Sequence, residues 1–197
     1  MELFLPLILL LIFLLFIFIV YKINQQIPIW KGRAGEAEVI KKLNKLDSTK
    51  YTVLNDLFFK TGDKSAQIDH VIISNYGIFV IETKNYNGKI YGSENKDYWT
   101  VYLRKFQTNF YNPIKQNRGH IYALKNILNE YPSFKYISII NFTNKSIVKV
   151  KSNTPVVQTK QLLRTIKSYD EEYLSNELKE IILQKLLEQN IPVKNRK

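Results

Sequence analysis

The stretch QIDHVIISNYGIFVIETKN, residues 67–85, decides the fold predicted for this chain. Two apolar runs rich in β-branched residues flank a Ser-Asn-Tyr-Gly turn, which is typical of a β-hairpin. With an even number of residues in the turn, positions that sum to 151 face each other, so Asp69 lies opposite Glu82 with side-chain stems about 5 Å apart. Lys84 follows Glu82 by two residues and therefore projects from the same face.

The two facing carboxylates need a positive partner, because like charges at this distance repel each other. A hard divalent cation with oxygen ligands, Mg²⁺ or Mn²⁺, is one solution. The alternative is a structural ion cluster at the hairpin end, in which Lys84 neutralises one acid. For the metal-binding pair, replacing Glu82 by Ala is predicted to reduce metal affinity and to raise stability in metal-free buffer, because a repulsive pair is relieved.

The chain is basic and contains no cysteine, with 29 Lys and Arg residues, 17 Asp and Glu residues and a net charge of +12. Disulfides and thiolate metal sites are therefore excluded. The positive charge favours nucleic acid or anionic lipid as a partner. Four basic residues, Arg104, Lys105, Lys115 and Arg118, alternate with aromatic residues. This pattern fits a nucleic-acid groove and equally a solvated rim.

The N-terminal residues 3–20 are almost wholly Leu, Ile and Phe, broken only by Pro6. As a helix this run would span about 27 Å, close to a bilayer core. A cleaved signal peptide is the alternative, but no basic residue precedes the run and no small-residue cleavage site ends it. We therefore predict a transmembrane anchor over 1–22 that contacts lipid through residues 3–20, followed by a tether over 23–31. Because Lys and Arg follow the run, the protein is predicted to be single-pass in the cell membrane with its main domain facing the cytoplasm.

Hydrophobic periodicity and turn signals predict a mixed α/β domain after the tether. Helices are predicted over 32–46, 112–131, 159–169 and 171–189. Strands are predicted over 51–60, in the hairpin 67–84, in a second hairpin of 89–92 with 98–106, over 135–143 and over 153–157. The order helix, three strands, helix, strand indicates a three-layer core.

The spacing Asp-x12-Glu-x-Lys resembles the PD-(D/E)xK nuclease superfamily, and the surrounding residues resemble the nuclease-related domain, NERD. Four blocks carry the resemblance: GRAGE at 32–36, QIDH at 67–70, GIFVIETKN at 77–85 and NPIKQN at 112–117. Ile68 stands where the superfamily name has proline. The resemblance implies a restriction-endonuclease-like three-layer core, α-β-β-β-α-β, over 32–145, with a strand and helical extension and a basic tail over 146–197.

The resemblance also implies roles for the residues of the hairpin. Asp69 and Glu82, with the backbone carbonyl of Thr83, would hold Mg²⁺ or Mn²⁺. Lys84 would position the attacking water and offset charge that builds up during the reaction.

Two further residues are implied catalytic groups. Glu36 falls on the apolar stripe of the predicted helix over 32–46, where a carboxylate is costly unless it is paired or bound to metal. From the residues alone, Glu36 could instead be a first-turn glutamate that is stabilised by the helix dipole and has no catalytic role. The resemblance implies a carboxylate beside the site. Gln116 would be a positioning group, and His120, four residues later, stands where some families of the superfamily have tyrosine.

The sequence therefore predicts a membrane-anchored, metal-dependent nuclease that hydrolyses phosphodiester bonds of DNA. Two alternatives stay open. One is a nuclease-fold module that binds nucleic acid without cutting it. The other is a membrane-associated interaction protein with a basic face.

Overall fold

The computed structural model describes residues 4–62, 64–129 and 134–196. The chain divides into two compact units, Met1–Ala34 and Gly35–Lys197. Helix α1 spans Phe4–Leu43 and is followed by strands β1 Tyr51–Thr61, β2 Lys64–Ser74, β3 Gly77–Lys84, β4 Gly88–Ser93, β5 Tyr98–Leu103 and β6 Phe106–Tyr111. Next come α2 Pro113–Ile127, β7 Tyr136–Phe142, β8 Ser146–Lys151, β9 Val156–Gln158, α3 Thr159–Lys167, α4 Asn176–Gln189 and a 3₁₀ turn at Val193–Asn195.

The first sheet has the strand order β1-β2-β3-β7-β9. Strands β1, β2 and β3 are antiparallel neighbours, whereas β7 and β9 are added in parallel. Every residue of β3 before Lys84 is buried, which explains why this central strand reads as a continuous apolar run rather than an alternating one. The predicted mixed α/β class and the order α, three strands, α, strand are confirmed, with a second sheet inserted before α2.

Helices cover both faces of the first sheet, because alternate residues of β2 and β3 point to opposite sides. One apolar cluster joins the sheet to α2 and α4 and includes Val71, Val80, Leu124 and Ile182. The other joins it to α1 and α3 and includes Ile72, Ile81, Val39 and Leu162. The result is a three-layer arrangement consistent with a nuclease-like core.

The second sheet has the strand order β6-β5-β4-β8, in which β4 and β8 are parallel and the other pairs are antiparallel. Its inner face is apolar. Ile90, Trp99 and Val101 pack there against Phe142 of β7 and Ile114 of α2. The sequence predicted β4 and β5 but neither β6 nor β8 as separate strands.

The prediction of a transmembrane anchor and of a single-pass location in the cell membrane is wrong. In the part of the chain whose side chains are described, no helix is long and apolar enough to cross a membrane. The predicted lipid contact through residues 3–20 depended on the anchor and is not supported either. Residues 23–31, predicted as a tether, are helical within α1.

Asn112 joins the second sheet to α2. Its side chain caps the helix by accepting a hydrogen bond from the backbone N–H of Ile114 at 2.9 Å, and Pro113 follows it as the first helical residue. The Asn112 amide also donates to the backbone carbonyls of Ser93, Glu94 and Lys96. A single buried side chain therefore holds both the helix start and the β4–β5 loop.

We expect Asn112→Ala to lower the free energy of unfolding by about 2–4 kcal/mol, because the helix cap and the hydrogen bonds to the loop carbonyls are removed together. Urea denaturation followed by circular dichroism measures the change. Asn129→Ala, at an exposed turn position, is the matched control and should differ from wild type by less than about 0.5 kcal/mol. Equal effects of the two substitutions would contradict this role of Asn112.

Candidate active site

The ends of β2 and β3 bring Asp69 and Glu82 together. The hairpin turns through Asn75 and Tyr76, and the register pairs His70 with Ile81, so the predicted pairing by positions that sum to 151 is confirmed. The paired positions end at His70 and Ile81, and Asp69 and Glu82 are the next residues on the two strands. The backbone N–H of Thr83 donates to the Asp69 Oδ2 atom at 2.7 Å, which fixes the Asp69 carboxylate against β3.

Glu82 is the centre of a charged hydrogen-bond network. Its side chain is 2% exposed. The Lys84 Nζ atom lies 2.7 Å from Glu82 Oε1, and the His120 Nε2 atom lies 3.1 Å from Glu82 Oε2. Lys84 Nζ also donates to the Gln116 Oε1 atom at 3.0 Å. An ammonium has three N–H donors, and the described contacts use two of them.

The two facing carboxylates differ in their pKa values. Burial, followed by the negative charge of Glu82, raises the pKa of Asp69 to about 8, and the Thr83 N–H opposes this only in part. Burial also acts on Glu82, but the His120 hydrogen bond and the charge of Lys84 outweigh it and hold the Glu82 pKa below its ordinary value. Near neutral pH, Glu82 is therefore ionised and Asp69 is largely protonated.

Glu36 lies on α1, the helix that packs on the sheet through Val39 and Leu43. Its negative charge is one of the causes that raise the pKa of Asp69, which places the two carboxylates within electrostatic range of each other. Glu36 precedes the buried Val39 and Leu43 by three and seven residues, so it sits on the helix stripe that packs on the sheet. The charge of Glu36 therefore acts on the hairpin carboxylate, and its role in the site stays a prediction.

The donor set suits a hard divalent ion. Among the residues described, no group of three or more His, Asp or Glu side chains is assembled closely enough to hold a metal by itself. Magnesium is usually bound through one or two carboxylates, with water and substrate phosphates completing its shell, so Asp69 and Glu82 fit this requirement. The raised pKa of Asp69 points the same way, because burial and the negative charge of Glu82 oppose its ionisation and a cation between the carboxylates would offset both.

Asp69→Asn is expected to stabilise the metal-free protein at high pH. The folded-state pKa of Asp69 is about 8, above the unfolded value of 3.8, so its contribution to stability is present at low pH and is lost as pH rises from about 4 to 8. The neutral amide keeps an oxygen acceptor for the Thr83 N–H and avoids the buried charge. We expect a gain on the order of 1–3 kcal/mol at pH 9 and almost none at pH 4.

The test compares chemical denaturation of wild type and Asp69→Asn in EDTA across this pH range. Asp170→Asn, at an exposed position, is the control and should show no pH-dependent difference. A constant difference between Asp69→Asn and wild type at all pH values would contradict the raised pKa.

The two histidines have different surroundings. The Nδ1 atom of His70 lies 2.8 Å from the Asn55 Oδ1 atom. Burial lowers the pKa of His70 to about 4, and the charge of Glu82 opposes this in part. His120 contacts Glu82 directly. Sequence reasoning left the role of His120 open, although its place four residues after Gln116 on one helix face was the available signal.

The four basic residues predicted to bind nucleic acid fall on two elements. Arg104 and Lys105 form the exposed turn between β5 and β6. The other two lie on α2 and face acids of the β4–β5 loop. Lys115 Nζ is 2.5 Å from Asp97 Oδ1, and the Arg118 Nη2 atom is 3.7 Å from Glu94 Oε1. The positive charge of these two helix residues is thus partly neutralised.

Two comparisons with known proteins found matches to this chain. The family model of the nuclease-related domain matches residues 31–143. An uncharacterized protein of Bacillus anthracis is 37% identical over 175 residues, covering 86% of this chain and 81% of the relative. No solved structure matches the chain at a significant level. The matched region contains α1 from residue 31, the whole hairpin, the inserted strands, α2 and β7.

Proposed function

Because the chain belongs to the nuclease-related domain family, we propose that it is a divalent-metal-dependent nuclease that hydrolyses phosphodiester bonds of DNA. The observation that carries the proposal is the contact of Lys84 with both Glu82 and Gln116 beside the facing Asp69. Family membership implies a nuclease-related function and, in general, the use of a divalent metal. The DNA substrate and the role of each residue belong to the proposal.

Asp69 and Glu82 would hold Mg²⁺ or Mn²⁺, with the Thr83 backbone carbonyl as a further oxygen ligand. A divalent ion supplies positive charge that polarises the phosphoryl oxygen and lowers the pKa of water. Because Asp69 is largely protonated in the metal-free protein near neutral pH, metal binding would release its proton. The Thr83 N–H holds the Asp69 carboxylate in place for this role.

Lys84 would act on the reacting groups. Its ammonium is anchored at 2.7 Å by Glu82 and at 3.0 Å by Gln116, so its position is set before DNA arrives. The remaining N–H donor can hold the attacking water or a non-bridging phosphate oxygen. A fixed positive charge at this place stabilises the negative charge that develops in the transition state.

Three residues would support this arrangement without touching the reacting atoms. Gln116 positions Lys84, and His120 orients Glu82 from the opposite side. Glu36 adds negative charge beside Asp69 and would strengthen the attraction for a cation. All three lie on α1 or α2, the helices that flank the sheet at the hairpin end.

The proposal is tested by incubating the full chain with labelled single-stranded and double-stranded DNA and RNA, in Mg²⁺, in Mn²⁺ or in EDTA. We expect DNA to be cleaved in at least one of the metals and not in EDTA. Cleavage that is unchanged in EDTA, or cleavage of RNA alone, would contradict the proposal. DNA binding without cleavage in any metal would identify a nuclease-fold binding module instead.

A further inference from the structure

The outer face of the second sheet is exposed and carries tyrosines and lysines. Alternation along the strands places Lys89 and Tyr91 of β4 on this face, opposite the buried Ile90. Tyr102 of β5 pairs with Lys89, and Lys149 of β8 pairs with Tyr91. All four of these residues are exposed. The strands of this sheet contain no Asp or Glu, so the charged side chains that they place on this face are lysines.

A groove of about 770 Å³ lies on this face. Its walls include Lys89, Tyr91, Tyr102, Arg104, Lys145 and Ile147. Ligand-binding clefts commonly enclose about 300–1,000 Å³, so the groove is large enough for a nucleotide unit. It combines aromatic rings, positive charge and an apolar side chain at one place.

The two tyrosine rings of the groove are arranged to accept flat partners. The ring centroids of Tyr91 and Tyr102 are 5.5 Å apart and their planes meet at 89°, so each ring keeps a face that the other does not cover. The ammonium of Lys149 lies 5.9 Å from the centre of the Tyr91 ring. Aromatic rings exposed between cations are the surface on which single-stranded nucleic acid stacks its bases.

Two of the residues that line the groove, Gly88 and Arg104, have positive φ angles. Gly88 has a φ of +105°, and a Cβ atom there would lie 2.1 Å from the Tyr102 carbonyl oxygen, so only glycine allows the two strands to approach. Arg104 has a φ of 55°, a conformation that is uncommon and costly for a residue other than glycine, asparagine or aspartate. This backbone places a positive side chain at the hairpin tip, beside the groove.

We propose that this groove binds single-stranded DNA, with unpaired bases stacked on Tyr91 and Tyr102 and phosphates held by Lys89, Arg104 and Lys145. A duplex is a poor occupant, because its bases already stack on their neighbours and cannot cover the tyrosine rings. Gly88 follows Lys84 by four residues, which limits their Cα separation to roughly 14 Å. Gly88 lines the groove, so a strand held there comes within this distance of the Lys84 backbone. The inference rests on the proposed function, which takes DNA as the ligand.

The test measures binding of a fluorescently labelled oligothymidylate of about 12 nucleotides to the full chain in EDTA, by fluorescence anisotropy. The variants are Tyr91→Leu/Tyr102→Leu, which removes both rings but keeps apolar bulk, and Tyr91→Phe/Tyr102→Phe, which keeps the rings. Tyr122→Leu, at an exposed tyrosine of α2, is the matched control. Circular dichroism and thermal melting confirm that each variant is folded.

We expect the double leucine variant to bind at least about fivefold more weakly than wild type, since one stacked base contributes roughly 5- to 150-fold in affinity. The double phenylalanine variant and Tyr122→Leu should bind within about twofold of wild type. Lys89→Gln/Lys145→Gln should reduce the slope of log affinity against log salt by about 0.7 for each phosphate that the variant no longer neutralises.

Three results would overturn the inference. The first is a double leucine variant that is folded and binds within twofold of wild type. The second is duplex DNA that binds wild type as tightly as the single strand. The third is an oligouridylate that binds more tightly than the oligothymidylate, which would assign the groove to RNA. Cleavage assays on the same proteins test the proposed function separately from the groove. If wild type shows no metal-dependent cleavage, the nuclease proposal is refuted, and the binding measurements alone then decide whether the groove holds single-stranded DNA.

Discussion

Lys84→Met is expected to reduce the rate of DNA cleavage by about 10²–10⁴-fold, the range typical of a positioned group that assists proton transfer or orients the nucleophile. Methionine keeps the length and apolar stem of the side chain and removes only the ammonium. The Gln116 amide would lose the donor that it accepts from at 3.0 Å. Single-turnover cleavage in Mn²⁺ measures the rate.

Binding should separate from catalysis in the same variant. Metal is held by oxygen ligands, and a chain with a net charge of +12 still neutralises most of the phosphates that it touches when one charge is removed. We therefore expect DNA affinity in EDTA to change by less than about threefold. Lys45→Met, at an exposed lysine after α1, is the control and should cleave as wild type does. A folded Lys84→Met variant whose rate falls by less than threefold would reject the catalytic role.

Glu82→Ala is expected to lower the free energy of unfolding by about 3–5 kcal/mol, because it breaks a buried ion pair and leaves the partners without their acceptor. The Glu82 carboxylate is contacted by Lys84 at 2.7 Å and by His120 at 3.1 Å. The same substitution should remove Mn²⁺ binding measured by calorimetry. Glu188→Ala, on an exposed face of α4, should change neither property.

The structure and the sequence pattern predict opposite changes in the free energy of unfolding for Glu82→Ala. Two facing carboxylates alone predict that removing Glu82 relieves repulsion. In the structure, His120 and Lys84 hold the Glu82 pKa below its ordinary value, so its stabilising contribution is present above the unfolded pKa and is lost as pH falls through the folded pKa. Relief of repulsion is instead expected for Asp69, at high pH. A Glu82→Ala variant that is more stable than wild type in EDTA would contradict this assignment.

Local signals account for what the sequence predicted well. The hairpin register follows from a two-residue turn and the alternation around it, so the facing of Asp69 and Glu82 needed no information from distant parts of the chain. The start of α2 was equally local, because Asn112 and Pro113 are a cap and a first-turn residue. These two features determine most of the candidate site, because Lys84 ends β3, Gln116 lies in the first turns of α2, and the two side chains form a hydrogen bond.

Non-local pairing explains what the sequence did not predict. Strand β8 is recognisable only through its parallel pairing with β4, more than fifty residues earlier in the chain. Strand β6, FQTNFY, carries polar residues on its exposed face and lacks a continuous apolar run. Because β6 and β8 were not predicted, the second sheet was not predicted as a four-stranded sheet. The groove lined by Tyr91, Tyr102 and Ile147 could therefore not be deduced from the sequence.

The sequence left the role of His120 open and wrongly predicted a transmembrane anchor at the N-terminus, for two different reasons. A histidine on a helix is usually structural, and only the 3.1 Å contact with Glu82 assigns His120 to the site. The apolar run near the N-terminus was interpreted from its composition. In the described side chains, no helix meets both the length and the hydropathy that a membrane span requires.

The most direct test of the nuclease assignment is a metal add-back experiment on one preparation of the full chain. Labelled DNA is incubated with wild type, Lys84→Met and Glu82→Gln in EDTA, and Mn²⁺ is then added in excess over the chelator. Cleavage by wild type should begin only after Mn²⁺ is added, and neither variant should cut at a comparable rate. Cleavage by wild type before the addition, or equal cleavage by all three proteins after it, would contradict an active site built from Asp69, Glu82 and Lys84.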